Sequence, residues 1–438
     1  MEAKEKSLTE KRKKNMKLYS IHRMLTFDLL FYYAVKFLFL TQIKGFETEN
    51  IVIASACWGI FKVIFQIPIT ICIDKLGNRR SLIIADVMQA IGTILILISE
   101  NMQMLILANL FGGVAYAMKE IAETAILNKS IPETENRSQI YSKIDGKATG
   151  NYYYLSALSA IVSGILFDIN GYIPMTICAI IQLIAARIAG KFENIEVDKQ
   201  KDITLEKNIK KVCKTYFKNL KLAFSFIFNS RRLKALMLFS GVMYGMILVM
   251  GTYEMNLLNE IGISAAGVGI IYAIMQIVAG TSSKMSNKFH GKYRNKSLAV
   301  IGISYILACL IAGLIASTPM PSFVIIVVVI ITYIIRYMDT GLYYVLIKKY
   351  ITNFTNEEVA SKVYSALELV NGIGNSIICV FGAIVVSSNN IMKSMIIFGI
   401  VFFIIIVFVL QYMSSRVGLN PNEYRKKDIN YKEYINLK

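Results

Sequence analysis

Charge is what this sequence has least of. Only 18% of its 438 residues are Asp, Glu, Lys or Arg, whereas a soluble domain carries about one quarter. That shortage argues against an ordinary water-soluble chain. There are just 6 prolines and 2 histidines. His22 and His290 each sit beside basic residues outside the apolar runs, which speaks against a histidine metal site or a histidine-based catalytic dyad. The 6 cysteines (Cys57, Cys72, Cys178, Cys213, Cys309, Cys379) are scattered, with no Cys-x-x-Cys and no metal-ligand spacing. Five of them fall in apolar runs, where a cysteine is usually a small packing residue, so no disulfide framework is implied. No nucleophile–base constellation appears, and neither an enzyme nor a bound cofactor or metal is expected.

What the chain does have is apolar length. Hydrophobic residues make up 55% of it, and a helix needs about 20 mostly apolar residues to cross the hydrocarbon of a bilayer. Twelve runs meet that criterion: 24–42, 50–73, 81–99, 103–126, 146–168, 172–190, 233–257, 264–284, 297–316, 322–346, 363–387 and 391–413. The expectation is an all-α membrane protein of twelve transmembrane helices. Residues 1–23 carry 8 Lys and Arg. The aromatic apolar run that follows has no small-residue cleavage site, so it reads as the first span rather than a signal peptide.

The net charge of +19 does not indicate nucleic acid, because the basic residues collect in alternate loops. One set holds Lys75, Arg79 and Arg80, then Lys129, Arg137 and Lys143, then 191–232. It continues with Lys284 to Lys296, Lys348 and Lys349, and the tail from Arg416. The other set, near 43–49, 100–102, 169–171, 258–263, 317–321 and 388–390, is short and holds only Lys44. The positive-inside rule then places both termini in the cytoplasm.

The chain also repeats itself. Ser138-Gln139-Ile140-Tyr141-Ser142 follows the fourth span and Ser361-Lys362-Val363-Tyr364-Ser365 the tenth. Arg80-Ser81-Leu82 opens the third span and Lys296-Ser297-Leu298 the ninth. Both echoes are offset by half the chain, as two pseudo-symmetric six-helix halves would give. The expected organisation is a basic segment 1–23, a half 24–190, a linker 191–232, a second half 233–413 and a tail 414–438. Within the linker, Ile209, Val212, Tyr216, Leu220, Ala223 and Ile227 share one helical face, with Lys210, Lys211, Lys214, Lys218 and Lys221 on the other. Such a helix would lie in the inner membrane interface. A simple tether between halves is favoured over lipid-sensitive regulation.

Between the second and third spans lies Asp74-Lys75-Leu76-Gly77-Asn78-Arg79-Arg80, a turn too short to cross a bilayer. This Asp-x-x-Gly-x-Arg-Arg pattern resembles the signature loop of the major facilitator superfamily, and Gln66-Ile67-Pro68 before it resembles a subgroup of that family. Together with the two halves, the resemblance covers about Arg23 to Arg416. There are departures. Thr70 stands where a glycine is usual, Asn78 displaces an arginine, and the second-half copy, Ser282 to Lys296, lacks the aspartate. The resemblance implies that Asp74, Gly77, Arg79 and Arg80 form a gating latch. Asp74 would face the amino end of the eleventh span near Lys362 to Ser365, and Arg79 or Arg80 would pair with acidic groups. The alternative is a plain positive-inside anchor.

Ionisable groups deep in a span are costly and usually face a partner or a water-filled cavity. In the family, spans one, four, seven and ten line that cavity. Asp28, Lys36, Lys119, Glu123, Arg336 and Asp339 are therefore candidates for substrate or proton work, with Lys62 in span two and Glu368 in span eleven. Lys119 and Glu123 at i, i+4, and Arg336 and Asp339 at i, i+3, are spaced to pair. Asp86, Lys119 and Glu120 could instead belong to cytoplasmic salt-bridge networks.

The expected function is secondary transport of a small solute by alternating access, coupled to protons, by a monomer spanning the plasma membrane. The excess of cavity cations leans toward a solute with an anionic group. Export of amphipathic drugs is a rival. Against it, the fifth span, Tyr152 to Gly164, lacks the proline usual in proton-driven drug exporters of this family. A non-transporting sensor with the same fold is the rival of another class.

Overall fold

The computed structural model describes residues 2–132, 137–195, 218, 221–222, 224–225, 227–293, 296–354 and 357–417. Most of the amphipathic helix expected within 209–227, and the tail beyond 417, lie outside the described residues. The side chains of Asp74, Lys362, Tyr364 and Ser365 lie outside them too. The described residues are mostly helical, with no strand among them. In order the helices are α1 (Glu2–Thr26), α2 (Tyr33–Leu38), α3 (Thr48–Ile64), α4 (Gln66–Leu76) and α5 (Asn78–Ile98). Then come α6 (Met102–Ser130), α7 (Arg137–Ile169), α8 (Tyr172–Ala189), α9 (Arg231–Glu260) and α10 (Ala265–Tyr293). The last four are α11 (Ser297–Ala316), α12 (Ser322–Phe354), α13 (Glu357–Ser387) and α14 (Ile391–Val417).

Ten of these helices are long and apolar enough to cross a membrane. The two other apolar runs are each divided. The run at 24–42 is not one helix: α1 stops at Thr26, residues 27–32 leave helical geometry, and α2 runs into a π-helical turn, Phe39–Ile43. Phe31 in the gap has a φ of 59°, a left-handed backbone that a bulky side chain rarely adopts. The run at 50–73 breaks at Phe65 between α3 and α4. Pro68 explains that break, because it has no N–H to return to the carbonyl of Ile64 and its ring crowds that carbonyl. The turn expected over Asp74–Arg80 is tighter than expected. Gly77, at a φ of 79°, is the single residue between α4 and α5, a backbone angle that favours glycine.

The chain forms two compact units. The first is Met1–Gly45, Ile60–Lys214 and Ala265–Ala273, and the second is Phe46–Gly59, Thr215–Ser264 and Ile274–Lys438. Each unit therefore takes most of one sequence half and one segment of the other. In the first unit α5 packs on α6 and α8, and α1 packs on α6, α7 and α8. A buried cluster of Tyr19, Leu82, Ala122, Leu127, Ala148 and Phe192 joins these helices. The first turn of α10 packs on α7, where an added Cβ at Gly164 would sit 2.5 Å from the carbonyl oxygen of Ala265. The amide of Ala266 also donates to Asp168 at 3.3 Å.

In the second unit α9 packs on α13 and α14, and α11 on α12 and α14. The segment Phe46–Gly59 seats on α13: Asn375 donates to the carbonyl of Ser55 at 3.1 Å, and Ser376 to that of Ala56 at 3.2 Å. A close backbone approach joins α9 to α13. A Cβ on Gly374 would lie 2.8 Å from the carbonyl carbon of Gly241 and 3.0 Å from its Cα. Small residues at such contacts let membrane helices approach closely. Gly374→Ala is expected to cost about 1–3 kcal/mol, read as a lowered thermal midpoint in detergent. Gly251→Ala, whose Cβ would meet nothing within 4 Å, is the control and is expected to leave the midpoint in place.

Candidate functional site

The gap between α1 and α2 exposes backbone groups that a continuous helix would have satisfied. The structure fills them with side chains. Lys119 on α6 reaches across to the carbonyl oxygens of Thr26 and Phe27, the latter at 3.2 Å. Its ammonium thus sits at the negative end of α1, where a helix dipole favours a cation. Asp28 lies in the gap and accepts from the amide of Leu29 at 2.9 Å and from the hydroxyl of Tyr33 at 2.7 Å. A small cavity opens beside the break, lined by Tyr32, Tyr33, Ser156, Ser159, Ser163 and Tyr272 among others. Ser159 and Ser163 donate to their own helix at 2.9 Å, which leaves hydroxyl lone pairs as acceptors. The spacing argument paired Lys119 with Glu123; instead Lys119 serves the carbonyls and stands 3.7 Å from Glu120.

Glu123 has other partners. Its Oε1 is 2.8 Å from Nδ1 of His22, and its Oε2 accepts from Arg23 at 2.7 Å. Arg23 also donates to Glu120 at 2.6 Å and lies 3.6 Å from Asp145, which takes the Tyr19 hydroxyl at 2.7 Å. The other ring nitrogen of His22 is 2.9 Å from Asp86. His22, Asp86 and Glu123 are fully buried or nearly so. Asp86 and Glu120 thus take the network role that the sequence left open to them. Farther along α1, Asn15 locks onto the backbone of Glu193 in both directions, at 2.9 and 2.8 Å. Lys14 donates to the Glu193 side chain, and that bond holds the Glu193 carboxyl below the usual carboxylate range.

The second unit holds a smaller cluster. Arg336 on α12 is buried, 2.5 Å from Glu254 on α9, and stacked over the Tyr333 ring at 4.5 Å. The pair is ionic more than directional, because none of the three Arg336 nitrogens makes an aligned hydrogen bond among the described residues. Asp339, spaced to pair with Arg336, accepts from Ser304 on α11 at 2.6 Å. The remaining candidates are more peripheral. Lys36 faces the Tyr32 ring at 5.3 Å, and Lys62 and Lys119 share the Tyr116 ring at 5.2 and 4.9 Å. Glu368 is half-buried on α13.

In the loop, Arg79 donates to the carbonyl of Gly190 at the end of α8, a neutral acceptor in place of the carboxylate that the family resemblance implied. Arg80 is exposed. Sequence reasoning missed His22 and Glu254. The pattern Asn15, Tyr19, His22, Thr26 follows helical spacing and is buried throughout, but the surrounding lysines masked that face. Glu254 was the lone acid of its apolar run.

A sequence model described as the Major Facilitator Superfamily matches residues 24–338. No curated protein matches the chain in sequence. Solved structures do match in fold. A nucleoside transporter, NupG, shares 15% identity at a TM-score of 0.65, over 92% of this chain and 98% of its own. A bacterial homolog of the human lysosomal transporter Spinster, in an inward-facing and unoccupied conformation, shares 13% at 0.66, over 95% and 98%. A POT family transporter in complex with 5-aminolevulinic acid shares 14% at 0.59, over 94% and 96%.

Proposed function

The chain belongs to the Major Facilitator Superfamily, and we propose that it is a secondary carrier moving a small polar solute by alternating access, with protons as the coupling ion. It is a multi-pass membrane protein with a transporter fold. The observation that carries the solute reading is the broken first span. Irregular backbone at membrane depth persists only where protein buries it or where it lines a cavity. Here it carries Asp28, the Lys119-capped carbonyls and a hydroxyl-rich cavity. Structural neighbours include a nucleoside transporter and a carrier bound to 5-aminolevulinic acid, which is in keeping with a small polar cargo.

On this reading the twelve runs are twelve spans in two six-helix halves, 24–190 and 233–413, with both termini cytoplasmic. The chain sits in the plasma membrane as a monomer, and the Asp74–Arg80 loop governs gating. Lys36, Lys62 and Glu368 remain candidates for solute or proton work. Asp28, Glu123 and Asp339 are the coupling carboxylates to test. Protonating a carboxylate releases its cation or donor and shifts which state is preferred. The lean toward an anionic cargo persists, with Lys36 and Lys62 as its candidate contacts.

A thermal-shift screen of the purified protein against small polar solutes is expected to yield a stabilising compound. That compound, radiolabelled, should accumulate in proteoliposomes only under a pH gradient. Asp28→Asn is expected to abolish that accumulation while counterflow exchange persists. Normal accumulation by the Asp28, Glu123 and Asp339 variants alike would refute the coupling. Absence of flux from a correctly folded sample would favour the sensor reading.

A further inference from the structure

His22 is the one imidazole among the described residues with a carboxylate on each of its two nitrogens. Glu123 lies 2.8 Å from Nδ1 and Asp86 2.9 Å from Nε2. All three side chains are at most 1% exposed, so water cannot mediate either contact. A neutral imidazole has one N–H and one lone pair. Without a further proton, that lone pair would face a carboxylate oxygen at hydrogen-bond distance, which is repulsive. The opposed placement also rules out a shared metal ion, since one ion cannot meet both ring nitrogens. The ligand that fits is a proton.

We infer that His22, Asp86 and Glu123 form a proton-binding site in which one proton, carried on the imidazole, pins α1 to α5 and α6. Binding is simple protonation of the ring, with no other reactant. The charges around it fix where the proton sits. From α6, Glu123 has Arg23 on its second oxygen at 2.7 Å. Glu120 is satisfied by Arg23 at 2.6 Å, and Lys119 stands 3.7 Å from Glu120. From α5, Asp86 has its Oδ1 without a hydrogen-bond partner among the described residues, so it relies on His22. From α7, Asp145 is bound by Tyr19 and keeps partial exposure. Just beyond α8, Phe192 adds only an aromatic ring, 6.1 Å from the imidazole.

With His22 charged, each of the two fully buried carboxylates of this site, Asp86 and Glu123, faces a cation. With His22 neutral, one buried carboxylate is uncompensated, and the weakest link is the Asp86 contact. Losing the proton therefore loosens α1 from α5 first. Because α1 ends at the break in the first span, the proton also bears on the geometry of that break. The site stands whether or not the chain moves a solute, so its failure and that of the carrier reading are separable.

The test uses the full chain in lipid nanodiscs, labelled with [15N]histidine and with any tag removed. The His290→Gln substitution leaves His22 as the sole imidazole. An ordinary histidine, titrating near pH 6.5, would be about 97% neutral at pH 8. The expected spectrum at pH 8 instead shows both ring nitrogens protonated. A neutral tautomer at pH 8 overturns the proposal, and this measurement needs no change in the triad. Asp86→Asn is then expected to return the ring to neutral at pH 8. An imidazolium that persists in that variant overturns the role of Asp86. At matched pH, amides 19–26 of His22→Gln are expected to exchange hydrogen at least ~10-fold faster than in the parent, as befits lost hydrogen bonds to charged groups. Unchanged exchange means that the proton does not pin α1.

Discussion

Exchanging Glu254 for glutamine is expected to destabilise the purified protein by about 3–5 kcal/mol, the cost of leaving a buried charge without its partner. Arg336 is fully buried, and its guanidinium cannot shed its proton to escape. Nor does a second carboxylate form an ion pair with it among the described residues. Asp339, on its own helix, is engaged with Ser304 at 2.6 Å. The Tyr333 ring at 4.5 Å offers a cation–π contact, a smaller compensation than an ion pair. Thermal unfolding in detergent reads the effect. The double variant Glu254→Gln/Arg336→Met removes the orphaned charge and is expected to recover most of the loss. A single variant as stable as the parent would show that the cluster tolerates an unpaired guanidinium.

Lys119→Met should produce the second large effect, about 3 kcal/mol or more, because two hydrogen bonds from a charged donor to buried carbonyls disappear. Methionine keeps much of the apolar stem but supplies neither donor nor charge. The carbonyls of Thr26 and Phe27 then lose the donor that caps the end of α1, and Glu120 loses a cation 3.7 Å away. Hydrogen exchange localises the consequence: amides from Phe27 to Ala34 are expected to exchange faster while those of α11 do not change. Thermal unfolding measures the total. An unaltered exchange pattern around the break would mean that Lys119 does not hold it.

The contrast between these two sites and the loop shows what each level of description could reach. Asp74–Arg80 was legible because its meaning is local: a charged turn between apolar runs must be a hairpin, and Gly77 supplies the backbone angle that closes it. Pro68 was read only as part of the family resemblance and the run 50–73 as one span, whereas the structure breaks the helix three residues before that proline. The charge pairs at i, i+3 and i, i+4 were read by the same local logic, and there it failed. Lys119, Glu123, Arg336 and Asp339 all take partners on other helices. In an apolar bundle, a buried charge binds whichever complementary group the packing brings within reach, and helix spacing is a weak rival to a nearly desolvated ion pair.

The sequence by itself determined that this is a helical membrane protein of a carrier family, since hydropathy is a sum over neighbouring residues and the hairpin signature is contiguous. Tertiary structure alone decided that the first span is broken, that each unit holds a segment of the other sequence half, and that His22 meets Asp86 and Glu123. Those partners lie 64 and 101 residues away along the chain. The energy that selects them, the desolvation of a charge against the attraction of its partner, does not exist until the helices have packed.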